Sequence, residues 1–148
     1  MRVLGLDLGT VRIGVALSDA LGLMASPETV LECTDRRCKH EDVLHCPHVV
    51  GRIRDLVDST GAESVVVGMP TTLRGEHGIA AQKVDEFVEV LTSLLEVPVT
   101  TWDERMTTAV AERALLQAGK SRETRRNLRD KVAAAVMLQS YLDAHRNP

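Results

Sequence analysis

Four acidic residues in this chain stand where a carboxylate could do chemistry. Asp7 interrupts the apolar run Val3–Leu8, and a segment rich in glycine follows it at once. Asp103 and Glu104 end a second β-like segment, and Asp130 lies on an apolar stripe near the C-terminus. An unpaired charge moved out of water costs several kcal/mol, so such a group should be paired, protonated or bound to a cation.

If these carboxylates converge, they favour a site for divalent metal ions. Mutual repulsion would raise their pKa values unless a multivalent cation lay among them. Hard ions that prefer oxygen ligands, Mg²⁺ or Mn²⁺, suit such a site. Two such ions about 3.5 to 4 Å apart can activate water and stabilise the leaving oxygen during phosphodiester cleavage. The pattern therefore predicts a two-metal phosphodiesterase.

Each acidic residue also has a simpler interpretation that the sequence leaves open. Asp7 could pair with a lysine or arginine, or cap the tight turn that Gly9 begins. Asp103 and Glu104 could stabilise the N-terminal turn of a following helix through its dipole. Asp130 could be a solvated residue beside Lys131 and Arg126.

The elements that must position these residues follow from hydrophobic periodicity. Alternating and β-branched runs predict five strands, at Arg2–Leu8, Gly14–Ser18, Leu23–Leu31, Ser64–Gly68 and Val97–Trp102. Helical spacing predicts helices at about 49–60, 79–95, 107–118 and 122–145. Short turns make the first three strands antiparallel, whereas strand-helix-strand connections are usually parallel.

These elements predict an α/β fold, a mixed five-stranded sheet with helices on both faces. Sites in such sheets gather at the carboxyl ends of the strands. Asp7 ends the first strand and Asp103 and Glu104 end the fifth, so they converge at one edge if the two strands are neighbours. Asp130 shares a helix face with Ala134, and should point toward the sheet.

Length and composition limit the function classes. The 148 residues fit one globular domain, 1–148, and the formal net charge of −3 excludes a bulk polycation. No apolar run approaches the ~20 residues of a membrane span, so we expect a cytoplasmic protein without membrane contact. Phe87, Trp102 and Tyr141 are the only aromatic rings of their types, which argues against a multi-ring platform for single-stranded bases.

A group of basic residues supports binding to nucleic acid. We call it the basic cluster, and it consists of Lys120, Arg122, Arg125, Arg126, Arg129 and Lys131. Arginine predominates, and its planar fork suits phosphate. Arg74 and His77, in a glycine-containing loop, are further candidates for phosphate contacts. The alternative is a solvated helix face.

The stretch from about 33 to 48 resembles an insertion and holds Cys33, Cys38 and Cys46 together with three histidines. Ligands of this kind permit zinc. However, the spacing lacks the close Cys-x-x-Cys pair of common zinc sites, and three cysteines cannot all form internal disulfides. A surface loop with reduced thiols is therefore the prediction, with reversible oxidation open if a thiol is reactive.

Four motifs in this order resemble the YqgF/RuvX family. They are Gly5–Thr10 with Gly14–Ala16, Val67–Pro70, Asp103–Thr108 and Asp130–Ala134. The resemblance implies a ribonuclease H-like fold related to Holliday-junction resolvases. It also implies a nuclease that finishes the end of pre-16S ribosomal RNA, with nucleic acid as its partner and ribosomal particles as a further candidate partner.

By this resemblance, Asp7, Glu104 and Asp130 correspond to the acidic metal-binding positions of the family, with Asp103 as a candidate fourth. Resolvases place a glutamate on the fourth strand. Here the fourth strand ends Gly68-Met69-Pro70 and the acidic pair follows the fifth strand, so the metal geometry could differ from the resolvase arrangement.

Two other functions compete with the nuclease. Asp7 to Gly14 also resembles the first phosphate loop of the actin, sugar-kinase and heat-shock ATPase superfamily, but those proteins need two such folds and this chain has room for one. The other alternative is a non-catalytic module that binds nucleic acid or regulates transcription. Such a binder has no need to concentrate carboxylates against phosphate. The residues do not separate RNA from DNA substrates.

Overall fold

The computed structural model describes residues 1–9, 12–33, 46–69, 79–103 and 122–145. The strands are β1 (Val3–Leu8), β2 (Arg12–Ser18), β3 (Ala25–Glu32), β4 (Ser64–Met69) and β5 (Val99–Asp103). The helices are α1 (Pro47–Thr60), α2 (Ile79–Leu94) and α3 (Arg122–Ala144). All five strands and these three helices were predicted from the sequence, and the helix predicted at about 107–118 lies outside the described residues.

The five strands form one mixed sheet in the order β3-β2-β1-β4-β5. The first three strands are antiparallel neighbours, and β4 pairs parallel with both β1 and β5. The predicted strand directions are therefore confirmed. The acids were expected to converge if β1 and β5 were neighbours in the sheet. This condition is not met, because β4 lies between the two strands. Their carboxyl ends still lie at the same sheet edge, two strand spacings or about 10 Å apart.

Alternation along β1 divides the core between the two faces of the sheet. Leu4 and Leu6 are fully buried in the larger cluster, which α1 and α2 cover with Ile53 and Phe87 among others. Val3, on the opposite face, belongs to the smaller cluster under α3. Helices therefore lie on both faces, as predicted, and α3 alone of the described helices covers the second face.

Gly5 allows α3 to pack directly on the central strand. A Cβ atom at this position would lie 3.0 Å from Cβ of Leu138, closer than side chains normally approach. Leu138 is fully buried. The smaller cluster is thus built by bringing a helix against a strand that carries no side chain at the contact.

The direction of α3 follows from its neighbours. Tyr141 and Leu142 line a cleft together with Met1 and Val3, so the C-terminal part of α3 lies over the beginning of β1. The N-terminal part of the helix therefore points toward the end of β1, where Asp7 lies. None of the helices in the described part of the chain is long and apolar enough to cross a membrane.

Two local features fix the ends of elements. Helix α1 begins at Pro47, so Pro47 and His48, which the sequence placed in the insertion, belong to the helix. It ends at Gly61, which has the left-handed φ of 72° and donates its N–H to the carbonyl of Val57. In the turn after β2, Asp19 accepts backbone N–H bonds from Leu23 and Met24, and the first of these lowers the pKa of Asp19.

Candidate active site

Asp7 is half-buried at the carboxyl end of β1, on the face that α3 covers. It shares this face with Val3 and Gly5 because residues two apart in a strand point the same way. This is the edge at which ligands bind in open α/β sheets. The position of Asp7 agrees with the one expected from the sequence.

The residues beside Asp7 in the sheet are both glycines. Asp7 pairs with Gly14 of β2 and with Gly68 of β4, and the next residues in this row are Val30 of β3 and Trp102 of β5. We call Val30, Gly14, Asp7, Gly68 and Trp102 the Asp7 row. Because neighbouring strands are about 4.8 Å apart, the carboxylate is flanked on both sides by positions without side chains. Both glycines are buried, whereas Asp7 is partly exposed.

Neither simpler interpretation of Asp7 is seen among the residues that the structure describes. Within that set, the Asp7 carboxylate forms no hydrogen bond and no ion pair. The turn after β1 is closed by the backbone instead, because the N–H of Gly9 donates to the carbonyl of Arg12 at 2.8 Å. A Cβ on Gly9 would lie 2.8 Å from that same oxygen, which explains the glycine. Arg12 itself approaches Glu32, with Nε 3.7 Å from the carboxylate.

Asp103 lies on the other face of the sheet. It pairs with Met69, which packs against the core beneath α1 and α2, whereas its neighbour Trp102 packs against the cluster under α3. Strand alternation therefore separates Asp103 from Asp7 by a face as well as by β4. Glu104 lies outside the described residues.

Asp130 lies in α3, and its level along the sheet follows from the next residue. Lys131 lines a cleft with Thr29, Val30 and Glu32 of β3. Val30 belongs to the Asp7 row. The turn of α3 that contains Asp130 and Lys131 therefore crosses the sheet at the level of Asp7.

The structure places most of the basic cluster on one stretch of helix. The backbone of Arg122, Arg125, Arg126 and Arg129 forms the first turns of α3, ahead of the half-buried Lys131. Lys120, Arg74 and His77 lie outside the described residues. In the described part of the chain, no three side chains among His, Cys, Asp and Glu are grouped closely enough to hold a metal ion.

An aromatic cluster that no sequence pattern predicted holds α3 against β5. Trp102 lies edge-on to Tyr141, with ring centroids 5.6 Å apart, and Tyr141 stacks on His145 at 4.1 Å. The Trp102 indole N–H also donates to the hydroxyl of Ser140 at 3.3 Å. The four-residue spacing of Tyr141 and His145 was visible, but only the sheet order brings Trp102 beside them.

Two solved structures with a similar fold are Holliday junction resolvases or bound to a Holliday junction. RuvC of Thermus thermophilus, solved in complex with a Holliday junction substrate, matches with a TM-score of 0.59 and 19% identity over 97% of this chain and 94% of its own. The Holliday junction resolvase of fowlpox virus matches with a TM-score of 0.54 and 12% identity, over 97% and 99%. The fold is therefore the ribonuclease H-like fold of resolvase-type nucleases.

Closer relatives define the family. The chain belongs to the RuvX family, described as Holliday junction resolvase, whose model matches residues 1–144. A relative from Geobacillus kaustophilus is 44% identical over 99% of this chain and its own full length, and one from Halothermothrix orenii is 41% identical over 97% and 95%. Both carry the name "Putative pre-16S rRNA nuclease". The resemblance found in the motifs is confirmed, and the protein is a hydrolase of the nuclease class.

The absence of a protein partner for Asp7 within the described residues predicts an unusual effect on stability. In chelator, Asp7→Asn should leave the free energy of unfolding within about 0.5 kcal/mol of wild type or raise it, since it removes a charge without stranding a partner. Urea unfolding measures this. A loss of about 3 to 5 kcal/mol, as when a buried ion pair is broken, would show that Asp7 is a structural residue.

Ser18→Ala is the matched control for that measurement. The Ser18 hydroxyl is buried, accepts the N–H of Val3 at 2.7 Å and donates to the carbonyl of Asp19 at 3.0 Å. Removing it strands a buried donor, so this variant should lose about 1 to 3 kcal/mol. The two variants together separate a structural polar group from one kept for a ligand.

Proposed function

We propose that this protein hydrolyses phosphodiester bonds with divalent metal ions, and that its substrate is the end of pre-16S ribosomal RNA. Asp7, Glu104 and Asp130 carry the reaction in this proposal, and the basic cluster holds the substrate backbone. The family and the names of its relatives support the nuclease and the RNA substrate. The chemistry at Asp7 supports the metal.

The observation that carries the proposal is the environment of Asp7. A half-buried carboxylate with glycine on both sides, and with no hydrogen bond or ion pair to the described residues, retains its full capacity to bind a cation. Carboxylate oxygens are the ligands that Mg²⁺ and Mn²⁺ prefer. When bound there, such ions would promote attack of water on the phosphodiester and stabilise the leaving oxygen.

Gly14 and Gly68 keep neighbouring side chains in the sheet away from Asp7. Both glycines are buried, so the partly exposed carboxylate of Asp7 is the group that a cation would meet. Asp7 would hold the cation, and the sheet provides a rigid base for this residue. Half-burial also weakens the screening of the carboxylate by bulk water.

The family resemblance supports Glu104 and Asp130 as the other ligands. Asp103 lies on the face of the sheet opposite to Asp7, which disfavours it as a ligand in the same site. Asp130 lies in the turn of α3 at the level of the Asp7 row. We therefore propose Glu104 and Asp130 as ligands with Asp7, and a lesser role for Asp103 than the family resemblance alone implied.

We propose that the basic cluster holds the substrate backbone where it leaves the site. Its described members occupy the part of α3 that points toward the end of β1. Contacts of arginine with phosphate position a nucleic acid without reading its bases. Arg74 and Lys120 are proposed as further contacts, and ribosomal particles are proposed as the setting in which the RNA is presented.

Asp7→Asn should lower the rate of metal-dependent cleavage at least about 100-fold, since changing residues that merely orient metal ligands already costs roughly 10- to 100-fold. Binding of the substrate in the absence of metal should be preserved. The assay compares labelled pre-16S rRNA, plain single-stranded RNA, single-stranded DNA and a four-way DNA junction, with Mg²⁺, Mn²⁺ or chelator. Pre-16S rRNA should be cut fastest.

Asp55→Asn is the control for that assay, because Asp55 is an exposed acid of α1 on the opposite side of the sheet. It should cleave like wild type. Equal cleavage by Asp7→Asn and wild type would refute the site. Binding of every substrate without cleavage of any would instead favour a non-catalytic module, and preferred cleavage of the junction would reassign the substrate to DNA.

Strand alternation predicts unequal effects for two adjacent acids. Glu104→Gln should reduce cleavage as severely as Asp7→Asn, whereas Asp103→Asn should reduce it by less than about 10-fold, because its carboxylate lies on the other face. Rates at saturating Mn²⁺ and the Mn²⁺ concentration for half-maximal rate measure the difference. The reverse order of severity would contradict the proposed ligand set.

Removal of charge from the basic cluster should change the salt dependence of binding. Arg126→Gln with Arg129→Gln should reduce the slope of log affinity against log salt by about 0.7 per lost contact on single strands, or about 0.9 on duplex. Arg52→Gln with Arg54→Gln, exposed residues of α1, should leave the slope unchanged. Equal slopes for all three proteins would indicate a solvated helix face.

A further inference from the structure

Two cysteine side chains meet at the base of the predicted insertion. The sulfur atoms of Cys33 and Cys46 are 2.7 Å apart, with the thiol of Cys46 donating to Cys33. Cys33 directly follows the last residue of β3, and Cys46 directly precedes α1 as its N-cap residue. The end of β3 and the beginning of α1 therefore lie side by side.

Regular structure holds both cysteines in place. On one side, Glu32 pairs with Arg12 in the sheet and its carboxylate lies 3.7 Å from the guanidinium of Arg12. On the other, the carbonyl of Cys46 accepts the N–H groups of Val49 and Val50, at 3.1 and 3.3 Å. The two sulfurs are thus brought together by a strand and a helix that belong to the same core.

The two thiols differ in access to solvent. Cys46 is fully buried, and it packs in the larger core cluster, whereas Cys33 is half-buried at the margin of that cluster. A small oxidant can therefore reach Cys33 first. Among the described residues, Cys46 is a nucleophile already in contact with Cys33, and it is shielded from reagents in solution.

We propose that Cys33 and Cys46 form a reversible intramolecular disulfide when the protein meets a peroxide. The Cys33 thiolate attacks one peroxide oxygen, which gives a sulfenic acid and releases water after protonation. The Cys46 sulfur then attacks the sulfur of Cys33, the S–S bond forms, and the sulfenic oxygen leaves as water. In total, two thiols are oxidised and one peroxide is reduced to two waters, and a dithiol reverses the reaction.

The bond would close the chain from Cys33 to Cys46 near the edge of the sheet that bears Asp7. Val30, in the Asp7 row, lies three residues before Cys33. A cross-link over a short loop lowers the entropy of the unfolded chain. We therefore expect the oxidised protein to melt about 5 °C or more above the reduced one.

The test treats the purified full chain with hydrogen peroxide and then blocks remaining thiols with an alkylating reagent. Non-reducing peptide mapping should find the peptide of Cys33 joined to that of Cys46, and one of the three thiols alkylated. Dithiothreitol should restore all three. Cys38→Ser, which removes the third cysteine, should leave the pairing and the melting shift intact, whereas Cys33→Ser and the core-compatible Cys46→Ala should abolish both.

Four results would overturn the proposal. They are a disulfide that uses Cys38, a disulfide between two chains, thiols that stay reduced with peroxide in excess, and zinc in equimolar amount that is released on oxidation. The last result would make the cysteines metal ligands, and metal analysis of the untreated protein detects it. Because no readout depends on cleavage, failure of the nuclease proposal would leave this test unaffected.

Discussion

The packing of α3 on the central strand is the contact on which the rest of the site depends. This packing is possible because β1 carries Gly5 where Leu138 contacts the sheet. A Cβ atom on Gly5 would lie only 3.0 Å from the Cβ of Leu138. Interiors are packed to the density of organic crystals, so even one methyl group here would displace the helix. The helix brings Asp130 and the arginines with it. The missing side chain of Gly5 therefore sets the distance between the sheet and α3.

Glycines also flank Asp7, two residues beyond Gly5, with a different result. At Gly5 a helix occupies the place of the missing side chain, whereas the buried Gly14 and Gly68 leave Asp7 without a neighbouring side chain in the adjacent strands. A carboxylate in such a place costs free energy that no described protein group returns. Proteins retain groups of this kind where a ligand supplies the missing interaction, which is the physical reason for proposing a metal site at this edge.

The two faces of the sheet have separate tasks. The face under α1 and α2 carries the larger apolar cluster, and it includes the buried thiol of Cys46. The face under α3 is thinner, and it is completed by the contact of Trp102 with Tyr141 and His145. Asp7 lies on the thinner face, where a half-buried carboxylate can still reach water. Asp103 shows the effect of a single residue step, since strand alternation turns it toward the other side.

The sequence by itself determined the elements and the candidates. Period-two and period-3.6 patterns located every described strand and helix, since burial of one face imposes that period on the chain. The four motifs, from Gly5–Thr10 to Asp130–Ala134, were enough to identify the family. What only the tertiary structure decided is how residues far apart in sequence are placed: β4 between β1 and β5, glycines on both sides of Asp7, Asp103 on the opposite face, and Cys33 against Cys46. Strand order and register depend on packing across the whole sheet, and no local pattern of residues encodes them.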